Sequence, residues 1–524
     1  MREERFAHFF GFFAAAFLAV FLGYPLVIIF VRSFQDSSEL WSTLTNTYYY
    51  QRLGFTLYQA LLSTFATVLL ALPSAFLFAR YDFWGKRVLR SLFLIPFVMP
   101  TVVVAIGFLA LFGPRGLIPI DLRNTLLIII LAHVFYNFAI VVRMVSGYLE
   151  GLGNRLYEAA QMLGSSRLTT LMKITVPIAL PAVLAAATLV FIFCFSSFGV
   201  ILILTPEIRF RTLEVEIYQL SSRLLILSGA AYLVILQFLV ISFFSLLYTR
   251  LQARLAVSFA YKERLVRQLK GRTRILVSSH FLLTSLLLLA PLVLLVVQTF
   301  WQNGDFGLQS FHYALEARRT IGFSSLQAAS LNSLRFALIS TVISLVVGFA
   351  FAYAVVRAGW TFLDSASLLP LSISAVTLGL AYLLAFPGLR SSVWGISLSH
   401  SIIAFPFVTR SILPALRSFP GSLIDAAQSL GASPLAILWR IELPLLLPAF
   451  VTAASFALAI SMGEFAATLT LQNPKYATLP VAIFDRLSRP GMQNYGAALA
   501  LACLLMLVTG LLIFVLERYS KTEF

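Results

Sequence analysis

The side chains able to do covalent chemistry are few and scattered. The 524-residue chain carries 21 Asp and Glu, five His and two Cys. It has no HExxH pair and no His/Cys cluster at metal-ligand spacing. Its one Gly-Lys step outside the basic middle segment is Gly85-Lys86. A phosphate-cradling loop would need Gly at position 80 and Ser or Thr after the Lys, but Arg80 and Arg87 stand there. The sequence therefore predicts neither a bound cofactor, nor a metal, nor ATP hydrolysis by this chain. What does stand out is a polar stretch that occurs twice. Residues 158–182, EAAQMLGSSRLTTLMKITVPIALPA, return 267 positions later at 425–449 as DAAQSLGASPLAILWRIELPLLLPA, without a gap and with about half the positions identical. A carboxylate (Glu158 or Asp425), two alanines (Ala159 and Ala160, or Ala426 and Ala427), a glutamine (Gln161 or Gln428) and a glycine (Gly164 or Gly431) recur in order. Such residues suit ion pairing and docking rather than catalysis. A carboxylate that merely complements a helix start is the plainer alternative.

Each copy reads as a short helix, a turn at its glycine, a second helix, and re-entry into an apolar run at Pro177 or Pro444, where a first-turn proline does no harm. A second set of polar groups lies inside apolar runs, where a central charge costs about 2.5–3.5 kcal/mol on insertion scales. Glu464 matches Ser197, and His133, with Asn137 nearby, matches His400. They are candidates for a solute path or gate. For Glu464 an interfacial or helix-paired carboxylate is the alternative, and for the histidines hydrogen-bonded core positions.

The elements that must position these groups are membrane helices. The chain is 60% hydrophobic and 11% charged, against roughly a quarter charged in soluble domains. Runs of about 20 apolar residues span a bilayer. Twelve are expected: 9–32, 57–79, 91–113, 125–147, 178–205, 226–249, 275–299, 331–356, 364–387, 393–416, 445–471 and 495–517. The net charge of +17 reads as topological, since Lys and Arg collect in cytoplasmic loops. No basic face interleaved with aromatics suggests nucleic acid. The loops holding Arg80 to Arg90 and Arg155 to Lys173, and the segment 250–274, are basic and fall on one side. That side is expected to be the cytoplasm, with both termini inside. Arg209, Arg211, Arg318 and Arg319 go against the bias. Cys194 and Cys503 fall within spans and read as core residues.

The repeat extends over both halves. His133, Phe138 and Arg143 match His400, Phe405 and Arg410, and FSSFGVILIL (195–204) parallels MGEFAATLTL (462–471). Thr212, Leu213 and Ile217 parallel Thr478, Leu479 and Ile483, one residue out of step. Two six-helix units follow, 1–249 and 275–524, joined by a basic linker at 250–274 that suits a short amphipathic helix. With six spans each, the halves are expected to run parallel about a pseudo-two-fold axis along the membrane normal.

The pattern E-A-A-x-x-x-G-x(9)-I-x-V/L-P resembles the EAA loop of ATP-binding-cassette importer permeases, here at 150–177 and 417–444. The resemblance implies an all-α integral membrane protein with the type I ABC importer permease fold. It implies that both loops form coupling helices seated on an ATPase homodimer, which uses ATP and Mg on the cytoplasmic side. It further implies a periplasmic or lipid-anchored substrate-binding protein outside, and a bacterial inner membrane location. Asp425 departs from the pattern by one methylene. LAHVFYN (131–137), FCFSSFGVILIL (193–204) and TLEVEIYQ (212–219) look most like the thiamine permease, and 462–484 equally like the ferric-iron group. Sulfate, polyamine or a similar solute is the alternative. An ion-coupled secondary transporter is the rival class, but mid-membrane coupling acids are scarce.

Overall fold

The computed structural model describes residues 2–35, 37–152, 159–160, 162–256, 267–269, 271–302, 305–316, 326–389, 392–471 and 476–519. The protein is an all-α integral membrane protein. Among the described residues ten helices are long and apolar enough to cross a bilayer, and two further helix pairs are sharply bent. The long helices present Phe65, Leu69, Leu282, Leu286 and Leu338 outward, an apolar exterior that lipid covers.

The bent pairs correct the expectation of straight spans at 91–113 and 364–387. Lys86–Val98 and Thr101–Phe112 meet at 100°, and Thr361–Ser372 and Ala375–Ala385 at 94°. The causes are local. Pro100 disfavours helical backbone at Met99, which is extended (ψ 138°). Ile373 is likewise extended, and the Ser374 side chain then caps the next helix by accepting from the Thr377 N–H. The spans at 178–205 and 445–471 are also interrupted, into Val176–Phe195 with Gly199–Leu204 and Leu443–Gly463 with Ala466–Leu471.

The two halves repeat in detail. The Leu213 N–H donates to Thr56 Oγ1 at 2.8 Å, and the matching Leu479 N–H to Ser333 Oγ at 2.7 Å. The first helix of each half reaches across to the other half while still packing on the last helix of its own. Arg5–Ser33 packs its Phe10 ring on Tyr353 (5.0 Å between centroids), and the Phe21 carbonyl accepts from Tyr382 Oη at 3.0 Å. Gly271–Phe300 returns the exchange, with His280 Nε2 2.9 Å from Ser74 Oγ and Phe281 4.6 Å from Phe78. A Cβ at Gly107 would stand 2.7 Å from the Pro291 carbonyl oxygen, so the contact requires glycine. Each half thus clasps the other, and 249/275 is a sequence boundary but not a packing one. Within the linker 250–274, where a short amphipathic helix was expected, Arg267–Gln268 pairs in parallel with Tyr81–Asp82; residues 257–266 and 270 lie outside the described residues. Cys194 and Cys503 are buried core residues.

Candidate functional site

The duplicated loops fold as their glycines require. In the second copy, Gly421–Ser429 is a nine-residue helix. It ends at Gly431 with φ +79°, while the Ala432 N–H bonds the Ala427 carbonyl at 3.0 Å. This is the left-handed helix stop that glycine makes without steric cost. In the first copy Gly164 has φ +77° and the Ser165 N–H bonds the Ala160 carbonyl at 3.0 Å. Glu158 and Gln161 lie outside the described residues. Ala160 and Ala427 are buried, and Ala159, Asp425, Ala426 and Gln428 are exposed. Next to them Met162, Leu163 and Leu430 are each more than 85% exposed. A carboxylate flanked by uncovered apolar side chains is a surface suited to a protein partner.

The prolines act differently from expectation. Pro434–Gly463 is one continuous helix, and Pro444 does not begin it. A π-turn at Leu438–Glu442 precedes Pro444, and another at Leu171–Thr175 precedes Pro177. Proline lacks the N–H and crowds the carbonyl four residues back. The wider turn accommodates it without a break, so the part of the loop after its glycine runs on into the membrane helix as one lever. The second lever is tied to its bundle by a buried ion pair. Glu442 Oε1 accepts from Arg357 Nη2 at 2.7 Å and from Nε at 3.1 Å. In the first half a buried carboxylate ties two other helices: Glu150 on Leu126–Leu152 pairs with Arg90 and, at 3.2 Å, with Lys86 Nζ of Lys86–Val98.

At their other ends the levers reach the breaks at 196–198 and 464–465, and there the halves meet. Phe198 and Phe465 are repeat equivalents, and their rings stack 5.7 Å apart at 29°. Residues related by a two-fold can touch only on its axis, so this pair lies on the axis between the halves. The Pro100 break closes around it: a Cβ at Gly463 would meet Pro100 Cγ at 3.1 Å, and one at Gly199 would meet Thr101 Oγ1 at 2.6 Å.

Ser197 and Glu464 immediately precede the two rings. Glu464 is buried, and both its oxygens are used: Oε1 accepts from the Ala467 N–H (2.9 Å), and Oε2 from the Thr468 N–H (3.1 Å) and hydroxyl (3.0 Å). It caps the helix that follows the break. His400 Nε2 stands 3.1 Å from the same Oε2, and its Nδ1 2.7 Å from Ser461 Oγ. In the first half His133 Nδ1 is 2.9 Å from Ser63 Oγ, and Asn137 Nδ2 donates to the His133 carbonyl. Both histidines are thus hydrogen-bonded between helices, and the His400 network braces the break at 464–465. Sequence reasoning missed Glu214, which is buried and accepts from Ser374 Oγ and Gln237 Nε2, each at 2.9 Å. It joins the first half to the bend in the second. Its sequence signal was a pair of carboxylates, Glu214 and Glu216, alternating with apolar residues at 213–218. Among the described residues no group of three or more His, Cys, Asp or Glu could hold a metal.

Residues 68–257 and 340–521 each match the family of binding-protein-dependent transport system inner membrane components. The chain belongs to that family. Its fold is that of a type I ABC importer permease, present as two fused copies. It is similar to the thiamine transport system permease protein ThiP of Salmonella typhimurium, at 26% identity over 97% of this chain and 95% of that one. It also resembles the putative 2-aminoethylphosphonate transport system permease protein PhnV of Salmonella paratyphi A, at 36% identity over 29% of this chain. That match spans 58% of the PhnV chain. The sulfate transport system permease protein CysT of Salmonella typhimurium is 30% identical over 37% of this chain and 74% of its own.

Proposed function

We propose that this permease is the membrane subunit of an ATP-driven importer whose ATPase is a separate polypeptide. A homodimer of that ATPase docks on the loops headed by Glu158 and Asp425, on the cytoplasmic face of a bacterial inner membrane, with both termini on that face. A substrate-binding protein delivers the solute to the opposite face. The observation that carries this reading is the contact of Phe198 with Phe465 on the axis, each at the far end of a helix that begins as an exposed loop. ATP-driven approach of the two loops would rotate both levers and part the rings. Ser197 and Glu464 hold the rings in place, while His133, His400 and Asn137 fix the helices behind them. ATP and the loaded binding protein must together favour the open state by several kcal/mol.

The full-length likeness to the thiamine permease supports a solute of that group. Ferric iron is the second reading carried by residues 462–484, and the shorter likenesses support a phosphorus or sulfur oxyanion. The test is uptake into proteoliposomes holding permease, ATPase and binding protein. The reading requires uptake that stops when ATP or the ATPase is omitted. Uptake driven by an ion gradient without the ATPase would establish a secondary transporter instead.

A further inference from the structure

Among the described residues of the connections at 114–124, 206–225 and 476–494, on the face opposite the Asp425 loop, five arginines converge. They are Arg115, Arg123, Arg211, Arg486 and Arg489, and all five line one cavity between the halves, of about 570 Å³. That volume is within the roughly 300–1,000 Å³ range of small-molecule sites. Among the described residues no carboxylate lines it. Three stand behind it: Asp121 bonds Arg123 at 2.9 Å, Glu216 lies 3.8 Å from Arg211, and Asp485 sits among Arg489, Arg223 and Arg486. The Arg123 guanidinium holds the Asp121 carboxyl below its usual range. Arg115 has its guanidinium 5.6 Å over the Tyr495 ring and no acidic partner among the described residues. Tyr495 is itself fixed by donating to Gln298 Oε1 at 3.1 Å, and Gln298 Nε2 donates to the Arg115 carbonyl at 2.8 Å.

These arginines run against the charge bias that sets topology, which collects Lys and Arg on the cytoplasmic side. Their position therefore needs another reason, and the cavity's floor supplies it. Phe484 lines the cavity and packs on Phe465 at 5.4 Å, and Leu202 and Ile203 follow Phe198 by one helical turn. The cavity opens directly above the axial pair. Guanidinium forks match the planar oxygens of phosphate, phosphonate and sulfate. A bare cation, whether free thiamine or ferric ion, would meet an excess of positive charge there, five guanidiniums on the wall against three carboxylates behind it.

We infer that this cavity is an antechamber that receives an oxyanion group, phosphate, phosphonate or sulfate, carried by the solute on its way to the Phe198–Phe465 gate. The inference rests on the importer reading for its direction of travel and for which face is outer. The test uses the full-length permease in sealed proteoliposomes, with Cys194→Ser and Cys503→Ala as background and Ser488→Cys as reporter. Anionic and cationic methanethiosulfonates of equal size are compared from either side. An electropositive cleft raises local anion concentration and on-rates by about 10-fold or more, so the anionic reagent is expected to react at least tenfold faster. Arg115→Gln with Arg489→Gln should reduce that ratio several-fold. Inorganic phosphate or sulfate should slow labelling, and thiamine should not. Equal rates for the two reagents, or protection by thiamine but not by the anions, overturns the inference. Arginines that merely dock an acidic protein surface would leave phosphate without protection, which overturns it as well. Labelling needs no ATPase, so the two readings fail separately. ATP-driven uptake with a charge-indifferent cavity sinks only the antechamber, and an anion-selective cavity without ATP-driven uptake sinks only the importer.

Discussion

Truncating either axial ring should loosen the closed state. Phe198 and Phe465 stack with centroids 5.7 Å apart, and an offset-stacked pair contributes about 0.5–1.5 kcal/mol beyond its buried area. If that contact is made only when the path is shut, its loss multiplies the open population by about 2 to 12. Phe198→Ala and Phe465→Ala should each raise ATP-independent leak of a small solute from loaded proteoliposomes by that factor. Because the pair is lost once, the double variant should leak no more than about 2-fold beyond the worse single one, which is the signature of coupled residues. Phe198 also meets Tyr218 and Phe465 meets Phe484. Phe→Leu variants, which keep most of the volume, separate gating from collapse and should leak less than the alanines. Tight vesicles with the double alanine variant, in a folded protein, would refute the placement of the gate on the axis.

Further outcomes follow from the levers. Glu442→Ala strands the Arg357 guanidinium, and breaking a buried pair by removing one partner costs about 3–5 kcal/mol. With Arg357 17% exposed, about 3 kcal/mol is expected by thermal unfolding in detergent, largely recovered by Arg357→Met with Glu442→Leu. Gly431→Ala has open space around its Cβ but sits at φ +79°, so it should cost about 1–2 kcal/mol from backbone strain alone. Gly510→Ala, also unhindered and within a helix, should be neutral or slightly stabilising. Glu158→Ala and Asp425→Ala should reduce transport unequally, because two identical ATPase subunits meet non-identical loops. Equal losses in an uptake assay would contradict that.

Much of this was legible in the sequence because duplication exposes it. A spacing of 267 residues aligned both loops, both histidines and Ser197 with Glu464, and the glycines at 164 and 431 foretold turns, which the structure makes as left-handed helix stops. The breaks themselves were not legible. Hydropathy averages over a span and is blind to a 100° bend, although Pro100 and Ser374 held the local reasons. The π-turns before Pro177 and Pro444 were misread as helix starts, because a proline at a first turn and one after a widened turn look alike in one dimension. The exchange of the first helices depends on packing between distant segments, such as Gly107 against Pro291. The arginine-lined cavity was hidden for the same reason. Arg211 stood out as an exception to the charge bias, but its convergence with Arg115 and Arg486 is a fact of tertiary structure.

The central claim is that the two duplicated loops couple this permease to an ATPase. The most direct measurement places single cysteines at Gln161 and Gln428, in the background lacking Cys194 and Cys503, and cross-links them to the co-expressed ATPase with a short bifunctional reagent. An adduct from each position, with a yield that changes between ATP-bound and nucleotide-free complexes, is the predicted result. A folded, co-purifying complex that gives no adduct at either position would contradict it.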